Sequence, residues 1–120
     1  MKTYTAEEAE ATLPSLREQL TRIRASRRAL IASSRRISDA VAADGGGVAG
    51  SEWFEASRQL REDVTDLAER GILLRDPDSG LVDFPADREG RIVFLCWRAD
   101  EERLDWWHEQ DSGYLGRRPL

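Results

Sequence analysis

A single cysteine, a single histidine and no run of about eighteen apolar residues set the first limits on this chain of 120 residues. One cysteine cannot close an internal disulfide, so nothing asks for an oxidising compartment. Without a long apolar run, no membrane crossing is expected. The opening MKTYTAEEAEATLP lacks the apolar stretch of a signal peptide. These absences lead to the expectation of a cytoplasmic protein, and the length suits one domain over 1–120. The HExxH zinc signature is missing too. Gly45–Gly50, GGGVAG, has neither a preceding strand nor a following lysine, so it is read as a linker and not as a phosphate loop.

The net charge of −5 is unevenly spread. Residues 15–43 hold seven arginines against Glu18 and Asp39, whereas residues 44–79 hold nine acids against four arginines. A basic segment followed by an acidic one invites internal pairing. Nucleic-acid binding by the arginine row is the competing idea, but no aromatics are interleaved and the balance is acidic, so it is not favoured.

Thr5-Ala6-Glu7-Glu8 has the spacing of a capping box, a threonine N-cap with a glutamate three residues on. From there Leu13, Leu16, Leu20, Ile23, Leu30, Ile37 and Val41 step by threes and fours, with Arg27 and Ser34 completing the series. That is a coiled-coil seam on a helix over 6–42, with a kink or fresh start expected at Pro14. Ser51 then caps a second helix over 52–70 whose seam is Trp53, Ser57, Leu60, Val64 and Leu67, stopped by Gly71. The first helix is about twice as long as the second. Self-association through helix one, as a two-fold homodimer, would cover the remainder of its seam.

After Gly71 the period changes. Ile72-Leu73-Leu74, Leu81-Val82-Asp83-Phe84 (ended by Pro85) and Arg91–Trp97 read as strands separated by turn chemistry at Asp76–Gly80 and Asp87–Gly90. Residues 100–108 leave two readings open: a short helix, or a tight turn at Asp100-Glu101 and a fourth strand. In the strand reading Arg98 lies opposite Arg103 and Cys96 opposite Asp105. Leu104, Trp106 and His108 then share one face, and Asp105, Trp107 and Glu109 the other.

Several of these segments resemble the family known as domain of unknown function 2203. They are Gly80–Ala86 (GLVDFPA), Leu95–Arg98 (LCWR), Trp107-His108-Glu109, Gly116-Arg117 and Pro119-Leu120, together with the opening Tyr4–Ala9 and Leu13-Pro14. The resemblance covers nearly the whole chain. It implies a hairpin rather than a helix at 100–108, although this chain has Ala99-Asp100-Glu101 where relatives usually carry a glycine–glutamate turn. It implies a fold and no particular reaction, so whether the protein is an enzyme stays open.

Side chains able to do chemistry gather in the last third. His108 is either a hydrogen-bonded structural group or a metal ligand or general base. The second reading draws on Asp83, Glu109 and Asp111, and on Asp105 nearby; imidazole with carboxylates suits Zn²⁺, Fe²⁺ or Mn²⁺. Cys96, inside an apolar strand, is read as a small hydrophobe, with a nucleophilic role only if a cation sits beside it. Arg117 either pairs with a buried carboxylate or binds an anionic ligand or cofactor. The tail 109–120 is expected to dock on the body through Tyr114 and Leu120. The expected protein is therefore α+β. A long N-terminal helix and a shorter antiparallel one form a helical hairpin, packed with a small antiparallel sheet over 72–108 and an ordered tail. Its expected function is binding of a divalent metal or small ligand, or, alternatively, a non-catalytic interaction through the coiled-coil helix.

Overall fold

The computed structural model describes residues 2–44 and 49–120, and the side chains of all of these except 40–44 and 49. Two helices, α1 (Ala6–Asp44) and α2 (Ala49–Glu69), precede five strands. These are β1 (Leu73–Asp76), β2 (Leu81–Arg88), β3 (Arg91–Arg98), β4 (Trp106–His108) and β5 (Arg118–Pro119). The strands form one antiparallel sheet in chain order. Among the described residues no helix is long and apolar enough to cross a membrane.

The capping box forms as expected. Thr5 N donates to Glu8 Oε1 at 2.9 Å, and Glu8 N donates to Thr5 Oγ1 at 3.0 Å. These bonds satisfy two donors that the first helical turn leaves open, and they hold the Glu8 carboxyl below its ordinary range. Helix α1 runs on through Pro14, which faces water, and makes no fresh start there. At its other end α1 reaches Asp44; the Val41 side chain and linker residues 45–48 lie outside the described part.

Both seams differ from expectation by about one position. Leu13, Leu16, Leu20 and Ile23 are buried, but Ser26 and Ser33 take the seats expected for Arg27 and Ser34. A helix of 3.6 residues per turn drifts against a 3.5-residue repeat, and the buried stripe follows the drift. Arg27 instead reaches out to Asp78 at 2.6 Å. On α2, Ala56, Asp63 and Leu67 are buried while Val64 faces water. Asp63 is kept inside by Arg22 (2.9 Å) and Gln59 (3.1 Å). Ser51 lies within the helix, which begins at Ala49, and is not its cap. The pairs Arg22–Asp63 and Arg36–Glu52 run antiparallel along the hairpin, so these arginines meet the acids of α2.

Helix α2 ends in a Schellman motif, with Ile72 N on Leu67 O and Gly71 N on Ala68 O, both at 3.0 Å. Gly71 supplies the left-handed residue, φ 73°. The chain then turns into the sheet, whose inner face (Val82, Phe84, Val93, Leu95, Trp97, Trp107) packs on the first half of α1 and on Leu67. That sheet covers much of the seam that α2 is too short to reach.

Strand β2 does not stop at Pro85, which pairs with Phe94 inside it. Tyr4 N donates to Pro85 O at 2.7 Å. In a strand the N and O of one residue point the same way, so the missing N–H of Pro85 points away from β3 and interrupts no ladder bond. Glu89 and Gly90, both with positive φ (54° and 83°), make the two-residue β2–β3 turn.

Residues 100–108 resolve as a loop followed by a strand. The register, however, is one residue away from that expected: Cys96 faces Trp106, Leu95 faces Trp107 and Phe94 faces His108. Glu101 braces the connection. Its carboxylate accepts from Arg98 N (2.8 Å) and its carbonyl accepts from Trp97 Nε1 and Arg17 Nη2 (both 3.0 Å). A tight turn does form over Ala99-Asp100, closed by Glu101 N on Arg98 O at 2.8 Å, but residues 102–105 lengthen the connection before β4 begins, and the parity of β4 changes. A one-residue slip turns every side chain to the other face. Trp107 goes to the core, while Trp106 and His108 join Cys96 on the outer face.

Candidate metal centre

The two-residue turn at Glu89-Gly90 places Asp83 opposite Cys96, and the register of β4 places His108 diagonally from Cys96. Three strands thus bring one acid, one thiol and one imidazole to the same patch of the outer face. All three are buried; Asp83 is 2% exposed and His108 3%. One donor atom from each lies within 4.8 Å of the other two. The turn after β4 and the tail roof the patch, leaving a cavity of about 280 Å³ lined in part by Arg75, Leu81, Gln110 and Tyr114.

The hydrogen bonds of His108 define what its ring can do. Nδ1 lies 2.7 Å from the carbonyl oxygen of Glu109, which can only accept, so Nδ1 carries a hydrogen. Nε2 lies 3.0 Å from Asp83 Oδ1. If the ring is neutral, its Nε2 lone pair faces a carboxylate, and two acceptors cannot hold that distance alone. A cation must stand between them, either a proton shared by the two groups or a metal ion. A ring that gives one N–H to a backbone carbonyl and turns its other nitrogen to a metal is the usual arrangement of a histidine ligand.

Asp83 is shared. Its Oδ2 accepts from Arg75 Nε at 2.8 Å, and the Arg75 guanidinium lies 5.1 Å from the Phe94 ring. Burial, with the Asp83 charge next, pushes the Cys96 thiol up to about 12. Without a metal it stays protonated at neutral pH, which argues against a free thiolate nucleophile.

The residues singled out in the sequence are only partly brought together. Asp83 and His108 meet. Glu109 reaches the site through its carbonyl alone, because its carboxylate is paired with Arg91, which holds that carboxyl below its usual range. Asp111 is exposed in the turn beyond β4, and Asp105 is exposed before it. Arg117 takes the pairing role, with Nη1 at 3.2 Å from Glu101 Oε1 and a second bond from Nη2 to Oε2. Its guanidinium stacks on Trp106 (4.8 Å) and Tyr114 (4.6 Å). The tail docks through this pair, the short β5 ladder and polar bonds from Arg98 Nη1 to the Tyr114 hydroxyl and from Leu120 N to Asp105 O (both 2.8 Å). The Tyr114 and Leu120 side chains stay exposed instead of burying apolar area.

Cys96 and Arg75 are the two residues of the site that the sequence reading left out. A signal for Cys96 was present: a two-residue turn at Glu89-Gly90 fixes its partner as Asp83. Arg75 had none, because β1 is short and irregular, shifting register between Leu74 and Asp76.

The set of donors could hold a metal. Tetrahedral zinc, with bonds of about 2.0–2.3 Å, separates its donors by about 3.3–3.8 Å. In the cluster His108 Nε2 and Asp83 Oδ1 are 3.0 Å apart and all three donors lie within 4.8 Å, so gripping such an ion calls for small side-chain shifts. Among the described residues it is also the one place where three such side chains converge. No curated protein and no solved structure matches the chain. A family model does match, over residues 2–120, and the chain belongs to that family, described as an uncharacterized conserved protein (DUF2203).

Proposed function

We propose that this protein binds a divalent metal ion, zinc in the first instance, through Asp83, Cys96 and His108. The observation that supports this most directly is the His108 ring, tied by Nδ1 to a backbone carbonyl with Nε2 directed at a carboxylate 3.0 Å away. The thiol narrows the choice of ion. Sulfur favours zinc or ferrous iron and disfavours manganese, which prefers oxygen. Three protein ligands leave a coordination position open, and here it would face the cavity; closed structural sites use four. The ion would displace the thiol proton on binding.

The test is metal analysis of protein purified without chelator, followed by cobalt substitution. The expected result is stoichiometric metal and a thiolate-to-cobalt charge-transfer band that Cys96→Ser abolishes. Folded wild-type protein that holds no metal, and gains no thermal stability from added zinc, refutes the reading; His108 and Asp83 are then a hydrogen-bonded structural pair.

A second reading, self-association through α1, is supported by Ile31, which is 56% exposed on the long helix. On that reading light scattering gives twice the chain mass for wild type and the single mass for Ile31→Glu. A single mass for wild type removes it.

A further inference from the structure

The outer wall of the cavity carries a positive group whose donors are only partly used. Arg75 gives Nε–H to Asp83, and its two terminal amino groups have no protein acceptor among the described residues. The side chain is 45% exposed and lines the cavity beside His108. Tyr114, also lining it, accepts from Arg98 Nη1 at 2.8 Å, which leaves its own O–H to donate. Asp83, Cys96 and His108 line the same cavity, so an ion held by them would lie beside these hydrogen-bond donors.

Charge selects the ligand. A divalent ion, a thiolate, a carboxylate and a neutral imidazole sum to zero, and Arg75 adds one positive charge. The neighbouring Arg117–Glu101 pair cancels itself. A monoanion would neutralise the site, whereas phosphate, carrying about −1.5 to −2 at neutral pH, would overshoot. The cavity, at about 280 Å³, is at the small end of ligand pockets. A guanidinium fork matches the two oxygens of a carboxylate.

We propose, resting on the metal reading above, that this cavity receives a small monocarboxylate. One oxygen occupies the open position on the metal and the carboxylate is held by the terminal amino groups of Arg75, with the Tyr114 hydroxyl assisting.

Cobalt-loaded protein, titrated with sodium acetate, acetamide and inorganic phosphate while the visible cobalt bands are recorded, tests this. Acetate is expected to shift the bands saturably, acetamide to leave them unchanged, and phosphate to bind more weakly than acetate. Arg75→Gln, with its cobalt content unchanged, is expected to weaken acetate about ten- to a hundredfold, the worth of a charged hydrogen bond. Acetate binding equally well to Arg75→Gln overturns the proposal, as does acetamide matching acetate or phosphate exceeding it. If Arg75→Gln fails to fold or to hold cobalt, the three-ligand comparison on wild type decides alone. Wild-type protein that takes up no cobalt overturns the metal reading itself, an outcome distinct from all of these.

Discussion

Replacing Asp83 with alanine probes the site and the fold together, and the structure allows the cost to be worked out beforehand. Asp83 is bonded on both oxygens, to His108 Nε2 and to Arg75 Nε. The His108 bond is buried and charged, so its loss costs about 1.5–3 kcal/mol. The Arg75 bond has a half-exposed donor that can return to water, so it adds only about 0.2–1 kcal/mol. Removing one partner of a buried pair typically costs about 3–5 kcal/mol. With chelator present, Asp83→Ala should therefore lose about 3 kcal/mol in urea unfolding followed by tryptophan fluorescence. On the proposed metal reading, zinc at about a hundred times its Kd gives the wild type a further 2.7 kcal/mol or so by mass action, which the variant cannot gain. The gap should then widen to about 6 kcal/mol. A double-mutant cycle with His108→Gln should show coupling between the two sites. A loss within about 0.5 kcal/mol of zero, the range of an ordinary surface change, refutes the arrangement. So does a cycle without coupling.

Other consequences follow from the same contacts. Gly80 has φ +71°, and a Cβ there would lie 2.6 Å from Ala99 Cβ, so Gly80→Ala should cost about 2 kcal/mol or more in thermal unfolding. An unchanged melting temperature would contradict this packing. Deleting Tyr114–Leu120 removes the Arg117–Glu101 pair and the roof over Trp106; the rate of Cys96 modification by a thiol reagent should rise, and a wild-type rate would mean the tail does not cover the site. The Asp66 carboxyl is held below its ordinary 3.8, mainly by Gln19 and then by Arg70. A lowered folded-state value means stability that is present above the unfolded pKa and lost as pH falls through the folded one. Asp66→Asn should thus flatten the stability decline below about pH 4, and an unaltered pH profile would count against it.

How much of this could be read from the chain depends on how far apart the deciding residues lie. The capping box needs only Thr5 and Glu8, and the glycine stop only residues 67–72, so both were legible. Strand β3 was legible from composition, being β-branched and aromatic over Arg91–Trp97. The helical seams were legible in outline but not in phase, because the seats of Ser26 and Ser33 come from the true helical pitch and from the neighbour that α1 meets. Pro85 misled for a related reason. A proline ends a strand only where its N–H would have been used, and on that side β1 has already run out.

The site itself shows the limit most clearly. Its existence was legible, since His108, Asp83 and the aromatics stood out in the last third, but its membership was not. With Cys96 set opposite Asp105, as a tight turn at Asp100-Glu101 requires, His108 would point into the core and Cys96 outward, and no cluster would form. The observed parity goes with a Glu101 side chain that folds back to accept from Arg98 N while its carbonyl takes Trp97 and Arg17. Glu101 also receives Arg117 from the tail. One residue outside the cluster therefore braces the loop that leads into β4 and anchors the segment that roofs the site. Glu101→Ala should act on both: it would free the tail and loosen β4, and on the proposed metal reading it should lower metal affinity without removing a ligand. Zinc competition against a chelator of known affinity measures this. Metal affinity in Glu101→Ala equal to wild type would show that β4 keeps its register without Glu101, and that the loop follows the strand rather than setting it.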